Sequence, residues 1–521
     1  MKMVLTVKKN TLYIKTPCTD WINIANFSHR SFGWRPVFWV GDVNGRKFLD
    51  NNVLANVSFY PQHDALLGKR PPFLNKSKFR AIDSKLLNEF AFHQPIIHEL
   101  NIFEIYNIDL VICPTIPHRI FDYIIYVIAK YKNVPFLMIE STAAIKNYGG
   151  TLEPICFPID SIENRTKNIF EEYKKVKKSI ILSDVNSDYI QRIQSTYDRA
   201  MPNYLRVNIH KSNATLLEQG LSGKLPLKFK VWSKAILRFF LLGNQGKTSK
   251  IDFKNYFQQN SDLVEYADKL AVDIYYIEVQ KRIKSGLSFY KNFAQDLSTK
   301  RPYFLFTAHK QPERTTCPDA GYFYSHIDIL KVLDQVLPKE FLIFYKEHPS
   351  NFRKPFSLDS QRSKEFFETL ININPKRIKL LKTSTNQFDA IDGSTAVVSA
   401  TGTSCWEGLI RGKPALIFGS SWYENCHGVF RFENVEKLEK DIEKIIKKFE
   451  ININEVATFL EYLYQIDEDI SWRREINLGA ISNSLHNKDY KRRVEKIAKA
   501  YKNGLQRFEA SEKLKIKQVN K

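Results

Sequence analysis

The sequence predicts an α/β protein with two doubly wound, parallel-sheet domains, on three observations. Short apolar runs alternate with amphipathic stretches between Trp21 and Ser141, and the same alternation returns from Arg301 onward. Strands that alternate with helices form parallel sheets. The third observation is length, because 521 residues exceed what one hydrophobic core normally organises. The predicted units are a first domain over 1–300, a second domain over 301–470, and basic helices over 471–521.

The first half contains three predicted strands and two predicted helices, marked by apolar runs or by apolar residues three and four positions apart. The strands are Pro36–Val40, Asp109–Cys113 and Pro135–Ile139, and the helices are Lys85–Tyr106 and Arg119–Tyr131. From about residue 147 to 300 the sequence is strongly basic and mostly helical in pattern. This region is predicted to be a helical insertion or the completion of the first domain.

The second half is more regular and predicts a five-stranded sheet with intervening helices. Its strands are Tyr303–Thr307, Phe341–Tyr345, Ile378–Leu381, Ala396–Ala400 and Ala415–Phe418, and its helices are Ser325–Val336, Ser363–Ile373 and Val435–Phe449. Polar residues follow each strand directly, at 311–313, 348, 383–386, 401–403 and 419–423. Ligands bind at the carboxyl ends of strands in open parallel sheets, so we expect one ligand to contact these loops.

The stretch Asp392–Tyr423 is predicted to be a βαβ unit, in which a Thr401-Gly402-Thr403 turn leads from a buried strand into a short helix. Backbone N–H groups and the helix dipole favour an anion at such a helix N-terminus. The turn therefore predicts a phosphate site, and Ser394 of the same unit is a further candidate contact.

Ser404 and Glu407 in this helix have the S-x-x-E spacing of a capping box, which would explain both residues structurally. In the functional alternative, Glu407 accepts a hydrogen bond from a ribose hydroxyl. Gly412 is expected to end the helix in a left-handed conformation.

Lys346, His348 and Pro349 form the end of the second predicted strand of this half and the start of its loop. Histidine titrates near neutral pH, so His348 can donate to a phosphate oxygen or protonate a leaving group. A lysine beside it can bind phosphate or a sugar carboxylate. The structural alternative is a simple His-Pro turn, because proline restricts the residue before it to extended conformations.

The loop after the first strand of this half contains His309, Gln311 and Glu313. A carboxylate at this sheet edge can act as a general base or as a nucleophile on an anomeric carbon. Glu313 could equally be a solvated loop residue or an ion-pair partner. In the first half, His118 and Arg119 follow a strand, and His63 and Asp64 form a second polar loop; both pairs could face an acceptor or merely cap a helix.

The composition excludes several classes of protein. The formal net charge of +22 fits either a solvated basic surface or an anionic partner such as a membrane. Six cysteines without a CxxC pair argue against a zinc site and a dense disulfide framework, and they favour a reducing cytosol. No signal peptide and no run of about 18 apolar residues is evident. GxxxxGK[ST], GxGxxG, HExxH and GxSxG are absent, which argues against most ATPases, dehydrogenases, zincins and hydrolases.

Two basic segments combine charge with large apolar residues. Lys228–Gly243 is predicted to be a core helix with lysines that reach solvent, or a helix at a bilayer surface. In the tail His486–Lys521, Tyr490, Val494, Ile497, Tyr501, Leu505 and Phe508 mark one face of a helix. We expect this helix to pack across the two domains, or else to lie on a membrane.

The run from Gln311 to Phe352 and the stretch 401–423 resemble the bacterial glycosyltransferases of capsule and surface-polysaccharide biosynthesis, within the group that includes the Kdo and nonulosonic-acid transferases. The resemblance is specific over Tyr303–Tyr423 and loose over the first domain. It implies a GT-B fold, with two Rossmann-like domains facing a cleft and the nucleotide-sugar held mainly by the second. It also implies no obligatory metal and no cofactor, since the nucleotide-sugar is a substrate.

By this resemblance, His348 and Pro349 match the motif that contacts the nucleotide phosphate, and Thr401 and Thr403 match the phosphate loop. Gln311 and Glu313 match a loop whose carboxylate lies near the anomeric carbon, although QPERTT departs from the pattern and leaves inverting or retaining chemistry open. The expected protein is a cytoplasmic, peripheral membrane glycosyltransferase that uses a CMP-linked nonulosonic acid or Kdo to extend a glycan or lipid-linked glycan. Its expected partners include capsule assembly proteins but no nucleic acid.

Three alternatives remain from the sequence alone. A UDP-sugar transferase or epimerase would have the same architecture. A nucleic-acid-binding protein would explain the charge, but no RNP-type or finger motif is present. A scaffold of a capsule assembly complex would bind no nucleotide.

Overall fold

The structure is a computed structural model. It describes residues 8–14, 19–42, 57–62, 101–117, 120–148, 151–163, 165–196, 282–311, 313–352, 362–468 and 488–519.

The first half forms a six-stranded sheet in the order β3-β2-β1-β4-β5-β6. Its strands are β1 (Lys9–Ile14), β2 (Trp34–Asp42), β3 (Ser58–Gln62), β4 (Leu110–Ile112), β5 (Phe136–Tyr148) and β6 (Thr151–Ile159). All neighbours are parallel except β5 and β6, which form an antiparallel pair. The order 3-2-1-4-5-6 is that of a Rossmann sheet, whose chain order reverses between β1 and β4.

The second half forms another six-stranded sheet, in the order β12-β11-β10-β7-β8-β9, with every pair parallel. Its strands are β7 (Tyr303–Thr307), β8 (Leu342–Lys346), β9 (Ile378–Leu381), β10 (Ala396–Ser399), β11 (Ala415–Ile417) and β12 (Val429–Arg431). Counted from β7, this order is again 3-2-1-4-5-6, and the reversal lies between β7 and β10.

Helices cover both sheets, and each buries one apolar face. They are Thr19–Phe32, Ile120–Tyr131, Lys167–Val176, Asp184–Gln194, 282–293, His326–Val336, Lys364–Asn372, Gln387–Asp392, Thr403–Ile410, Val435–Ile446, Ile453–Ile466 and Lys488–Val519. In Val435–Ile446, for example, Leu438, Ile442 and Ile445 recur at helical spacing and are buried. None of the described helices is long and apolar enough to cross a membrane.

The carboxyl edges of the two sheets face each other. Glu140, Ser141 and Thr142 lie beyond the part of β5 that pairs with β4, and they meet loops that follow strands of the second sheet. Two Rossmann-like domains arranged in this way form the predicted GT-B type fold.

Each predicted strand of the second half is confirmed to within one residue at either end. The prediction for the first half was less complete. It began the α/β pattern at Trp21, after β1, and it identified neither β3 nor β6. Of the predicted helix Lys85–Tyr106, residues 101–105 are described and helical. The Lys228–Gly243 segment lies outside the described residues, as do residues 197–281 of the predicted insertion.

The C-terminal helix packs on the first sheet. Tyr490, Val494, Ile497, Tyr501 and Leu505 are buried, as their spacing predicted, in a cluster with side chains of β1, β2, β4 and β5. The Tyr501 hydroxyl donates to the Cys113 carbonyl oxygen at 2.8 Å. Asn503 on this helix also donates to Glu468 at 3.1 Å, and Glu468 follows helix Ile453–Ile466 in the second half. Packing across the two domains stays a prediction.

The second core includes residues that precede the predicted boundary at Arg301. Ile283 and Tyr290 of helix 282–293 are buried in the same cluster as β7 and β8. Gln295 adds a parallel bridge to Leu381 at the end of β9. In the described structure, this helix belongs to the second domain.

Candidate functional site

The loops after β7 and β10 meet at the point where strand order reverses in the second sheet, where ligands bind in such folds. His309 joins them, because its Nε2 accepts a hydrogen bond from the Thr401 N–H at 3.0 Å and lies 3.0 Å from Ser399 Oγ. Burial, reinforced by the neighbouring His348, lowers the pKa of His309 to about 3. His309 is therefore a neutral acceptor that fixes the turn.

Helix Thr403–Ile410 begins at Gly402, which is its N-cap and provides no side-chain hydrogen bond. Ser404 is already inside the helix, and its hydroxyl pairs with that of Thr307. The capping box predicted for Ser404 and Glu407 is therefore wrong, because the helix starts two residues earlier. Gly412 has a positive φ of 76°, as predicted for the end of this helix.

Gly419 allows a third loop to approach the other two. A Cβ at this position would lie 2.6 Å from the Thr401 Cγ2 atom and 2.6 Å from the Asp319 carbonyl oxygen. The next residue, Ser420, donates its N–H to the same carbonyl oxygen at 2.9 Å. The loops after β7, β10 and β11 are thus held in direct contact.

These loops form one wall of a cavity of about 170 Å³ between the domains. The lining is dominated by hydroxyl and charged groups: Ser141, Thr142, Arg165, Arg314, Thr315, Asp319, Thr401, Thr403, Ser420, Ser421 and Trp422. Two predicted residues, Thr401 and Thr403, therefore face the interdomain space. The Thr401 hydroxyl donates to the Thr315 carbonyl oxygen at 2.6 Å, whereas Thr403 is exposed.

Four buried or half-buried charges join the domains at this cavity. Arg165 lies 2.6 Å from Glu140 and 2.8 Å from Asp319, and Arg314 lies 3.1 Å from Glu140 and 3.3 Å from Asp319. Glu140 and Arg165 belong to the first domain, and Arg314 and Asp319 follow β7 in the second. We call these four residues the interdomain charge cluster.

Burial alone would lower the pKa of the Arg165 guanidinium, but the carboxylates of Asp319 and Glu140 outweigh it and raise that pKa. Arg165 therefore remains charged. Its Nε atom is buried without a hydrogen-bond partner and belongs to a side chain that lines the cavity.

A second interdomain contact lies next to the charge cluster. The Thr166 hydroxyl donates to Glu424 at 3.2 Å, and Arg431 donates to the same carboxylate at 3.0 Å. Arg431 also donates to the Glu163 carbonyl oxygen at 3.3 Å. These contacts bind the segment after β6 to the second domain, as do hydrogen bonds farther along it, such as those from Asn186 to the Ala457 carbonyl oxygen and from Trp406 to the Tyr189 hydroxyl.

A buried ion pair between Glu347 and Arg362 fixes the backbone at His348. Glu347 accepts from the His348 N–H at 2.8 Å and from Arg362 Nε at 2.5 Å. Arg362 also donates to the Gln311 side-chain oxygen at 2.7 Å, and the Gln311 amide donates to the Tyr324 carbonyl oxygen at 2.8 Å. Gln311 is therefore buried, and both the oxygen and the nitrogen of its side-chain amide form hydrogen bonds within the protein. These bonds suit a residue that supports the loop better than one that contacts a nucleotide-sugar.

Lys346 and Glu407 lie at the carboxyl edge, one at the end of β8 and the other on helix Thr403–Ile410. Burial lowers the pKa of Lys346 to about 8, although the charges of Glu407 and Glu347 oppose the shift. Burial likewise raises the pKa of Glu407 to about 7 against Lys346 and Arg411. Both pKa values therefore lie near neutral pH, although neither side chain lines the cavity.

Glu313 is partly exposed and forms an ion pair with Lys310 at 3.1 Å. It immediately precedes two cavity residues, Arg314 and Thr315. Pro349 begins a short 3₁₀ turn after His348 and is half-buried. The catalytic and binding roles of these residues stay predictions.

Ser394 is separated from the other candidates. It lies at the amino end of β10, the opposite end of the strand from Thr401, and its hydroxyl donates to the Ile391 carbonyl oxygen at 2.7 Å. Ser394 is therefore a turn residue at the edge of the sheet opposite to the cavity. The acceptor-side candidates His63, Asp64, His118 and Arg119 lie outside the described residues.

Sequence patterns did not identify the interdomain charge cluster. Arg314 and Asp319 lie in the loop that Gln311 and Glu313 predicted to be functional. Glu140 directly follows a predicted strand. Their positions at a strand's carboxyl end were the only available signal.

Within the described ranges, no group of three or more His, Cys, Asp or Glu side chains is arranged to hold a metal ion.

No family model and no curated protein matches the sequence. Among solved structures, KpsC, a beta Kdo 2,7 transferase from Thermosulfurimonas dismutans, is 9% identical with a TM-score of 0.30, over 87% of this chain and 90% of that one. UDP-GlcNAc 2-epimerase from Methanocaldococcus jannaschii is 12% identical with a TM-score of 0.24, over 88% of this chain and 99% of that one. A glycosyltransferase from Rickettsia africae is 11% identical with a TM-score of 0.24, over 91% and 98%. At this level of similarity, nothing about ligand or activity passes from these proteins to this chain.

Replacing Arg165 with methionine should lower the free energy of unfolding by about 3–5 kcal/mol, because Glu140 and Asp319 would stay buried with only Arg314 to neutralise them. Denaturant unfolding measures this loss. Lys364→Met is the matched control, because Lys364 pairs with Glu368 at 3.3 Å on an exposed helix surface, and its cost should stay below about 1 kcal/mol. Equal losses in both variants would contradict the role of the cluster.

The raised pKa of Glu407 predicts a pH dependence of stability. The folded state binds this proton more tightly than the unfolded state, so its contribution is present below about pH 4.5 and is lost as pH rises through about 7. Because the side chain keeps some solvent contact, we expect a change on the order of 2 kcal/mol. Glu407→Gln should flatten the profile between about pH 5 and 7 in denaturant titrations, whereas the exposed control Glu443→Gln should keep the wild-type slope. An unchanged slope in Glu407→Gln would contradict the assignment.

Proposed function

We propose that the chain is a glycosyltransferase of the GT-B type, which moves a sugar from a nucleotide-sugar to a growing capsular or surface polysaccharide. The observation that carries the proposal is the hydroxyl-lined interdomain cavity at the reversal of strand order, beside the N-terminus of helix Thr403–Ile410. This is the position at which a Rossmann-like sheet binds nucleotides.

The donor phosphate is placed at the Thr401-Gly402-Thr403 turn. The helix that follows has no side-chain cap, so N–H groups of its first turn are suited to phosphate oxygens. Arg165 and Arg314 supply fixed positive charge across the same cavity. Glu407 lies one turn along this helix, where it would accept a hydrogen bond from the ribose.

The reaction requires a base, a leaving group and an anomeric carbon. The acceptor hydroxyl oxygen forms a bond to the anomeric carbon and gives its proton to a carboxylate, for which we propose Glu313. The bond between the anomeric carbon and the phosphate oxygen breaks, and the electron pair leaves with the nucleotide. His348 and the N-terminus of helix Thr403–Ile410 are proposed to stabilise the charge that develops on the phosphate. Direct attack by Glu313 on the anomeric carbon is the retaining alternative.

The cavity implies a movement of the domains. Its volume of about 170 Å³ is below the roughly 300–1,000 Å³ typical of small-molecule sites. A complete nucleotide-sugar therefore requires the two sheets to move apart. The contacts of Arg165 and Thr166 with the second domain are among those that such a movement would break.

The favoured donor is a CMP-linked nonulosonic acid or Kdo, on the sequence resemblance alone. UDP-linked donors are the alternative, either for transfer or for epimerisation of the donor itself. We propose that the acceptor is a glycan or a lipid-linked glycan and that the protein acts in the cytoplasm at the inner face of the membrane.

Calorimetric titration with CMP, UDP and GDP tests the binding site. One nucleotide should bind, and Thr403→Ala should weaken it about tenfold or more, because a hydrogen bond to a charged phosphate oxygen is lost. Thr369→Ala is the matched control, since Thr369 is an exposed helical threonine far from the cavity. If no nucleotide binds, or if Thr403→Ala and Thr369→Ala bind equally, the proposed phosphate site is wrong; the first outcome is also the one expected of a scaffold.

Activity assays test the roles proposed for Glu313 and His348. Glu313→Ala and His348→Ala should each abolish transfer and retain the wild-type unfolding profile, and Glu313→Ala should still bind the nucleotide. Turnover near that of the wild type in either variant would remove that residue from the mechanism. Incubation with donor alone separates the alternatives, because an epimerase would convert the nucleotide-sugar without an acceptor.

A further inference from the structure

Four large apolar side chains are exposed within ten residues of the first half. They are Val176 (39% exposed), Ile181 (85%), Leu182 (41%) and Val185 (39%). Eleven such side chains are exposed in the whole described part of the chain, so more than a third of them lie in this one segment. Isolated exposed apolar residues are normal on a protein surface, whereas a contiguous group indicates an interaction site. We call residues 174–185 the 174–185 patch.

The backbone of the patch is held in place, so the exposure does not come from a loose segment. Ser183 donates both its N–H and its hydroxyl to Glu461, at 3.0 and 2.8 Å. Asn186 donates to the Ala457 carbonyl oxygen at 2.8 Å. On the other side, Tyr173 packs edge-on against Phe459. Helix Ile453–Ile466 therefore holds the backbone of the patch in place. The apolar side chains of the patch remain exposed to solvent.

The patch is also basic. Lys174, Lys175, Lys177 and Lys178 belong to the patch, whose one acidic residue is the exposed Asp184, so four positive charges and one negative charge give it a formal charge of +3. Lys174 and Lys177 each have an acidic neighbour, at 2.9 Å from Glu171 and 3.4 Å from Glu455, and all four lysines retain solvent exposure. Lysines beside exposed aliphatic side chains are complementary to a surface with negative headgroups over an apolar layer.

We propose that the 174–185 patch docks the protein on an anionic lipid bilayer, with Ile181 and Leu182 at the level of the acyl chains and the lysines at the headgroups. A protein partner would account for the apolar side chains, but the dense positive charge at their border favours a lipid surface. The proposal does not depend on the nucleotide-sugar proposal, because neither the patch residues nor their supports line the cavity.

The patch has a defined position relative to the cavity. Helix Lys167–Val176 starts directly after Arg165 and Thr166, which contact the second domain, and ends in the patch. A helix of ten residues is about 15 Å long. The patch therefore lies about 15 Å along this helix from Arg165, which lines the cavity.

Co-sedimentation with vesicles tests the proposal on the full chain. The wild type should bind vesicles of phosphatidylcholine with roughly 30% phosphatidylglycerol and bind pure phosphatidylcholine far more weakly. Lys175→Glu/Lys178→Glu should weaken binding to the anionic vesicles roughly thirtyfold or more, since two attractions become repulsions. Ile181→Ser/Leu182→Ser should weaken it about tenfold or more at the same net charge.

The charge-matched control is Lys444→Glu/Lys447→Glu, which reverses two exposed lysines on helix Val435–Ile446 and its end. This variant should bind nearly as the wild type does. Equal loss in both charge-reversal variants would mean that total charge, not the patch, attracts the vesicles, and would overturn the proposal. Unchanged binding after the patch substitutions would overturn it as well.

Light scattering without lipid distinguishes a different occupant. A dimer that Ile181→Ser/Leu182→Ser converts to a monomer would assign the patch to self-association and remove it as a membrane surface. Nucleotide binding should be the same in all these variants, so that failure here and failure of the nucleotide-sugar proposal are told apart.

Discussion

The interdomain charge cluster is the polar contact that holds the carboxyl edges of the two sheets opposite each other, in addition to a buried apolar interface that includes Tyr189 and Trp406. Glu140 and Asp319 are almost completely buried, and each lies within salt-bridge distance of both Arg165 and Arg314. A buried carboxylate is costly unless it is paired, so neither domain can release its partner without exposing these groups to water. The cluster is neutral as a whole, which lets it lie in a site of low polarity while it fixes the two sheet edges opposite each other.

The same constraint explains why the cavity is small. The two arginines that hold the domains together also line the cavity, so a ligand that needs more room must compete with Glu140 and Asp319 for them. A phosphate or a carboxylate could make that exchange, because it offers the guanidinium groups the same kind of acceptor. Binding of an anion and separation of the domains would then be one event, in which the ligand replaces contacts between the domains.

The sequence predicted the second sheet well because β7, β8 and β10 are fully buried and appear as uninterrupted apolar runs. It missed β1, whose residues Lys9–Ile14 mix polar and apolar side chains and are only partly buried at the amino end. In the site, it placed Thr401 and Thr403 at the cavity through the rule that ligands bind at carboxyl ends of strands. It could not place the charge cluster, since Glu140 and Arg314 are 174 residues apart and no local spacing encodes their contact.

Motif residues at this sheet edge divide into two groups according to what their side chains already contact. His309, Gln311 and Glu347 are buried, and their hydrogen bonds join neighbouring loops. Replacing them would disturb the loops that carry Thr401 and His348. Thr403 and Glu313 are exposed beside the same loops, and the ion pair of Glu313 with Lys310 is itself solvent-accessible. Both side chains can therefore reach a substrate more easily than the buried ones. A polar residue that follows a strand is therefore a stronger candidate for contact with a substrate when its side chain is exposed than when it is buried in hydrogen bonds between loops.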